Sequence, residues 1–240
     1  MGKKKVWLTI LMVVFFMGCV TTGQTPSRSS KAAAPGGVQV KNVALASLIV
    51  RNYGIYGNSG MIPSDLINAN MRNVLTITEK TLGNYWKVRP VSTFVKNPTY
   101  RSLAKGTAPT NYFAASVNGK YMPVLFNSGR EYIKGTIDAD TARTLCKSLG
   151  TDAVVLVYSE WFIQTGKFVP TTKALTKNCV TMYDKNGKHL FFDRKDVLGS
   201  KSIGSAYSGV HIDEKTIGYW LESYQSGLKT VFDKNGRKVK

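Results

Sequence analysis

The chain has 240 residues, with 33 Lys and Arg against 14 Asp and Glu, a formal charge of +19, 43% hydrophobic and 11% aromatic residues. That composition is ordinary for a globular protein and excludes a disordered or collagen-like chain, while the cationic surplus points to anionic partners. Two histidines and three cysteines, with no His/Cys/Asp cluster in the sequence, speak against a protein-built transition-metal site.

The chain opens with Lys3, Lys4 and Lys5 followed by an apolar run from Val6 to Met17 that is interrupted only by Thr9. About 12 residues are too few to span a bilayer, which takes ~20, and suit a secretory h-region of ~7–15. The run ends at Gly18-Cys19, a small residue directly before a cysteine. Residues 1–18 therefore read as a signal peptide. The alternatives are a plain signal with a chance cysteine and an uncleaved anchor. Removing residues 1–18, which hold three lysines and no acid, leaves 222 residues with 30 cations and 14 acids. The stretch after Cys19 to Gly37, "VTTGQTPSRSSKAAAPGG", has nothing to build a core from and reads as a tether. Residues 38–240 are expected to form one domain.

"VALASLIV" (43–50) suits a buried strand, and "RNYGIYGNSGMIP" after it a glycine- and tyrosine-rich loop. Pro63-Ser64 opens a helix whose apolar stripe is Ile67, Met71, Val74, Leu75, Thr78 and Leu82; Gly83-Asn84 ends it and "YWKVRPV" follows as a strand. Residues 92–135 are an irregular insert. It holds a short helix with Asn97 as cap and Pro98 at the first helical position, and a turn at Asn118-Gly119. Lys96, Arg101, Lys105, Lys120 and Arg130 lie in it among Tyr100, Tyr112, Phe113 and Tyr121, and its aromatics imply that it packs on the domain.

A helix from about Thr136 has Asp138 as cap, Ala142, Leu145, Cys146 and Leu149 as its stripe, and Gly150 as its stop. "DAVVLVYSEWFI" begins as a fully apolar strand and ends as a half-exposed one. "TGKFVPTTKALTKN" (165–178) reads as a connection carrying Lys167 and Lys173. "KNCVTMYDKNGKHLFFDRKDV" is a hairpin with its turn at Asp184–Gly187, and the last helix is expected from Glu214 to Phe232 with Ile217, Trp220, Leu221, Tyr224, Leu228 and Val231 inward. The order gives the fold class: α/β (α+β), a single sandwich domain with a mixed sheet flanked by about three helices.

Catalytic signals are thin. His189 and His211 stand apart, the "DKNG" turns lack the rest of a calcium loop, and no G-x-S-x-G elbow or Walker spacing occurs. Asp152, Glu160, Asp193, Asp196, Asp213 and Glu214 flank strands and keep paired-carboxylate chemistry open as a hydrolase alternative. Each has a simpler use as cap, turn former or lysine partner, so no catalytic residue, cofactor or metal is assigned and the chain is read as not an enzyme. Cys146 and Cys179 read as buried free thiols, with a disulfide as the alternative. The candidate binding residues are Lys96, Arg101, Lys105, Lys120, Arg130, Lys167 and Lys173.

With its "VALASLIV", "DAVVLVYSEW" and "VTMYDKNGKHLFFDRKD" segments, the chain resembles uncharacterised bacterial envelope lipoproteins. Their layout is similar to the N-terminal domain of TolB, to lipoprotein activators of penicillin-binding proteins and to the curli secretion lipoprotein. The resemblance implies cleavage before Cys19, a diacylglycerol on its thiol, and outer-membrane attachment facing the periplasm. It also implies a binding role toward an envelope protein or anionic polymer, without nucleic acid, or membership of an oligomeric secretion complex. Phe16 departs from the lipoprotein pattern, which prefers a smaller aliphatic there.

Overall fold

The computed structural model describes residues 39–55, 62–166, 170–205 and 207–239. The signal, Cys19, the tether and Lys167 lie outside them. The order is β1 (Asn42–Ile55), α1 (Ser64–Gly83), β2 (Lys87–Arg89), α2 (Pro98–Ser102), β3 (Tyr112–Ala114), β4 (Ser116–Val117), β5 (Lys120–Tyr121), α3 (Gly129–Lys134), α4 (Ala139–Leu149), β6 (Ala153–Thr165), β7 (Thr171–Asp184), β8 (His189–Ser205), β9 (Gly209–Val210) and α5 (Gly218–Val239). This is the expected mixed-sheet α+β class.

The main sheet runs β2-β1-β6-β7-β8-β9, and β3 pairs with β1 beyond the end of β2. β1 is parallel to β2 and β6, and the remaining pairs are antiparallel. Central position explains β6. It is paired on both edges and covered on both faces, so every residue from Ala153 to Ile163 is buried and the run is nearly all apolar. The half-exposed end expected from "YSEWFI" is therefore confined to Gln164 and Thr165.

Successive side chains along a strand point to opposite faces, which gives the sheet two different coats. One face takes α1 and α5: Trp161 of β6 stacks on Trp220 at 6.5 Å, and Thr78 of α1 meets Tyr224 of α5 at 2.7 Å. The α1 stripe is buried as its spacing predicts. The other face takes α4 and the insert. Phe113, Met122, Val124, Leu125, Phe126 and Tyr132 are all buried, so the insert is part of the core. Local caps work as expected: the Asn97 side chain accepts from the Tyr100 amide, and that of Asp138 accepts from the Thr141 amide at 2.7 Å. Asn118 and Gly119 both take positive φ in the β4–β5 turn, the backbone of a tight primed hairpin.

Three expectations are corrected. β1 continues through Arg51–Ile55, because these residues pair with Glu160–Ile163 of β6. The connection placed at 165–178 is mostly strand: β7 starts at Thr171, so Lys173 sits half-buried inside a ladder, opposite Gln164. The last helix starts at Gly218 and runs to Val239; Asp213 and Thr216 form a capping turn before it. Cys146 and Cys179 are buried free thiols, and burial pushes both up to about 12.

Candidate binding surfaces

The face of the sheet beneath the insert changes character along the strands. Near Tyr158 it is closed: the Tyr132 ring of α3 lies 5.6 Å from the Tyr158 ring, and the backbone at Gly135 sits against Thr181. Further along, cover thins. Leu175, Lys177 and Asp196 are half-buried, Tyr53 is 45% exposed and Leu198 49%.

Strand register lines up two rows there. Arg51, Glu160, Lys177 and Asp196 are successive partners across β1, β6, β7 and β8, so charge alternates in sign from strand to strand. Opposite charges on directly facing residues stabilise a ladder. Next to this row, Phe162, Leu175 and Leu198 form an apolar one, with Tyr53 stacked on Phe162 at 4.4 Å.

The first row is held tightly. Glu160 is buried and accepts from the Tyr158 hydroxyl at 3.0 Å, with Arg51 Nη1 at 3.5 Å. The Arg51 guanidinium lies 4.4 Å from the Tyr53 ring and 5.2 Å from that of Tyr112. Burial pulls the Arg51 guanidinium down, but the Tyr158 hydrogen bond and nearby Glu160 outweigh it, so its affinity for the proton rises. Burial, then Glu160, drives the Tyr158 phenol far above its usual range. Asp196 receives Arg194 in a two-bond fork, 2.9 and 3.2 Å, which overcomes the burial of Arg194 and raises it. Lys177 Nζ stands 4.3 Å from the Phe162 ring.

Three more acids are also engaged. Asp152 accepts from the amides of Lys41 and Asn42 and pairs with Lys185. Asp193 accepts from Asn235 and Lys234 of α5, and Asp184 accepts from the amides of Asn186 and Lys188 in the hairpin turn. Chemically, these arrangements fix strands, turns and helices to one another. Among the described residues, no three His, Cys, Asp or Glu side chains gather to hold a metal, and no helix is long and apolar enough to cross a membrane.

The cations singled out in the sequence do not form one patch. Lys96, Lys120 and Arg130 are exposed. Arg101 donates to the Tyr121 carbonyl at 3.2 Å, which sets it beside the hairpin bearing Lys120. Lys105 lies 4.0 Å from Asp138. Of those within the described residues, only Lys173 belongs to the open sheet face, on the strand that also carries Lys177. Arg51, Lys177 and Arg194 were missed as a group. The available signal was the two-residue spacing of Lys173, Leu175, Lys177 and Cys179, which marks one face of a strand.

The fold and these surfaces define a mixed-sheet α+β domain with one partly uncovered sheet face. No protein-family profile matches the chain, and no curated protein matches it in sequence. Solved structures with a related course of the chain include the PelC dodecamer from Paraburkholderia phytofirmans, at 11% identity and TM-score 0.37, covering 87% of this chain and 96% of that one. The lipoprotein GNA1162 from Neisseria meningitidis matches at 10% identity and TM-score 0.36, covering 81% and 96%. The hypothetical protein CT253 from Chlamydia trachomatis matches at 13% and 0.34, covering 83% and 93%. Likenesses this weak say nothing about function.

Proposed function

We propose that the chain is a lipid-anchored protein of the bacterial envelope, attached through Cys19 to the outer membrane on its periplasmic side, that works by binding a partner protein. The observation that carries the binding role is the open half of the sheet face, where a row of alternating charge runs beside the apolar row Tyr53, Phe162, Leu175 and Leu198. A uniformly anionic polymer complements only one sign of charge, whereas a protein segment can match both signs and cover Tyr53 and Leu198. The non-catalytic reading is supported by the acids of the sheet, whose oxygens serve ion pairs and turns.

A photoreactive residue at Leu198 in native membranes should give a discrete adduct of defined mass, and one at Gln225, on the exposed side of α5, should not. The same adduct pattern at both positions, or none at Leu198, refutes the surface. Cys19→Ala should abolish acyl labelling and release the chain from membranes; retention would overturn the anchor.

A second reading, a subunit of an oligomeric assembly, rests on β8. Among the described residues its outer edge is bonded near its end, where Gly204 and Ser205 pair with β9 and the Ile203 carbonyl accepts from the His211 amide, and an unpaired edge is a template for another strand. A Leu198 adduct composed of two copies of this chain would favour this reading over a separate partner.

A further inference from the structure

Residues 191–198 of β8 pair one-to-one with residues 175–182 of β7, and the register shifts only beyond the two ends of that stretch. At ~3.4 Å per residue it is a regular edge about 27 Å long. Among the described residues no strand lies on its outer side, and the bonds to β9 and His211 begin only at Ile203. The Arg194 amide meets the Asp193 carboxylate at 2.9 Å, a local acceptor of the kind that blunts an open edge.

Alternation along the strand puts Phe192, Arg194, Asp196 and Leu198 on the side of the open sheet face. Asp193, Lys195 and Val197 lie on the side that α5 covers, where Asp193 accepts from Asn235. The first set is accessible: Leu198 is 49% exposed, and the side chains of Arg194 and Asp196 are 30% and 15% exposed. Charges on an edge ordinarily turn other strands away. This series differs because, read in reverse, it is its own complement. A two-fold axis through Lys195 sets Arg194 opposite Asp196 of a second copy, and Phe192 opposite its Leu198.

We infer, resting on the oligomeric reading of β8 above, that two copies of this chain pair β8 to β8 in antiparallel register about Lys195, joining their sheets into one across an isologous dimer. Each Arg194 then lies between its own Asp196, which it already holds in a fork, and that of the second copy. The four side chains form a square of alternating sign, and opposite charges on facing residues stabilise a ladder. Asp193 Oδ1 releases the Arg194 amide to a carbonyl of the second strand, while Oδ2 keeps Asn235 and Lys234. Lys195 faces its own copy, the one unfavourable pair, and its long stem lets the two ammonium groups separate. α5 packs over β7 and β8. With strands ~4.8 Å apart, the two copies of α5 come to lie about 10 Å apart, an ordinary helix-packing distance and not a clash. A second copy is favoured over an unrelated strand because the pattern that complements this edge is the edge itself.

The test uses the full chain in mild detergent. Facing Cα atoms of an antiparallel pair are ~4.5–5.5 Å apart, within disulfide range, so Lys195→Cys, on the axis, should give a covalent dimer with diamide. Leu198→Cys, about 20 Å from its counterpart, should not. Cys146 and Cys179 are buried and add no link of their own. Arg194→Asp sets acid against acid and should weaken self-association, read by light scattering, about tenfold. Adding Asp196→Arg exchanges the two signs and should restore it, with near-ultraviolet circular dichroism unchanged throughout. A covalent dimer from Leu198→Cys but not from Lys195→Cys, or no rescue by the exchange, overturns this pairing and leaves the oligomeric reading standing. A monomer in light scattering that links at neither position overturns both.

Discussion

Replacing Glu160 with alanine tests whether the alternating row is a structural lock. Glu160 is 6% exposed and the Arg51 side chain 25%. Removing one member of a buried pair costs about 3–5 kcal/mol because the other charge stays desolvated. Water still reaches a quarter of Arg51, so the low end, about 3 kcal/mol, applies to the charge. The Tyr158 hydroxyl also loses its acceptor, at about 1 kcal/mol. Together these give about 4 kcal/mol, and at ~2–4 °C per kcal/mol for a domain of this size, a melting temperature lower by about 8–16 °C. Urea unfolding followed by tryptophan fluorescence reads the change, with an unaltered denaturant slope as the check on a two-state transition. Replacing both Arg51 and Glu160 with methionine should return stability to within about 1 kcal/mol of the native chain, since paired apolar substitutes avoid both desolvation costs. A Glu160→Ala change under 0.5 kcal/mol, or strictly additive single substitutions, would refute the lock.

Three further outcomes follow from particular contacts. Gly236→Ala in α5 gains about 1 kcal/mol from helix propensity alone, but the new Cβ would lie 2.7 Å from Tyr85 Cδ1; calorimetry should show net destabilisation. Burial pushes the Asp152 carboxyl up, yet the Asn42 and Lys41 amides and Lys185 outweigh this and hold it below the usual range. Its stabilising contribution is therefore complete above the unfolded-state value near 3.9 and fades as pH falls through the lower folded-state value; Asp152→Asn should flatten the acid limb of a stability–pH curve and leave its slope near neutrality unchanged. Cys146 and Cys179, with burial holding both thiols at about 12, should resist iodoacetamide at pH 8 in the native chain and be labelled together only on unfolding, as read by mass spectrometry.

Several features of this protein were legible in its sequence because their causes are local. The α1 stripe follows from side chains three and four residues apart sharing a helix face, and the Asn97 and Asp138 caps follow from side chains that reach amides three residues on. The central strand "AVVLVYSEW" could be read from its apolar, β-branched run. The basic character and the Gly18-Cys19 pattern are likewise properties of sequence. The candidate surface was not legible in the same way. Arg51 and Glu160 are more than a hundred positions apart, and only parallel pairing of β1 with β6 sets them side by side. Lys173 was seen as a candidate, but its place in a ladder depends on β7 extending to Thr171 to match the length of β6.

The tetrapeptide Asp-Lys-Asn-Gly shows the division within one sequence. At 184–187 it is a hairpin turn, with Gly187 at φ 79° and Asp184 capping the next amides. At 233–236 the same four residues lie inside α5, where Asn235 donates to buried Asp193 and Gly236 leaves room for the Tyr85 ring. Intrinsic preference for a turn was therefore decisive only where two strands met. At the second site, helix packing against β8 and Tyr85 outweighed about 1 kcal/mol of glycine penalty, and only the tertiary structure could decide that.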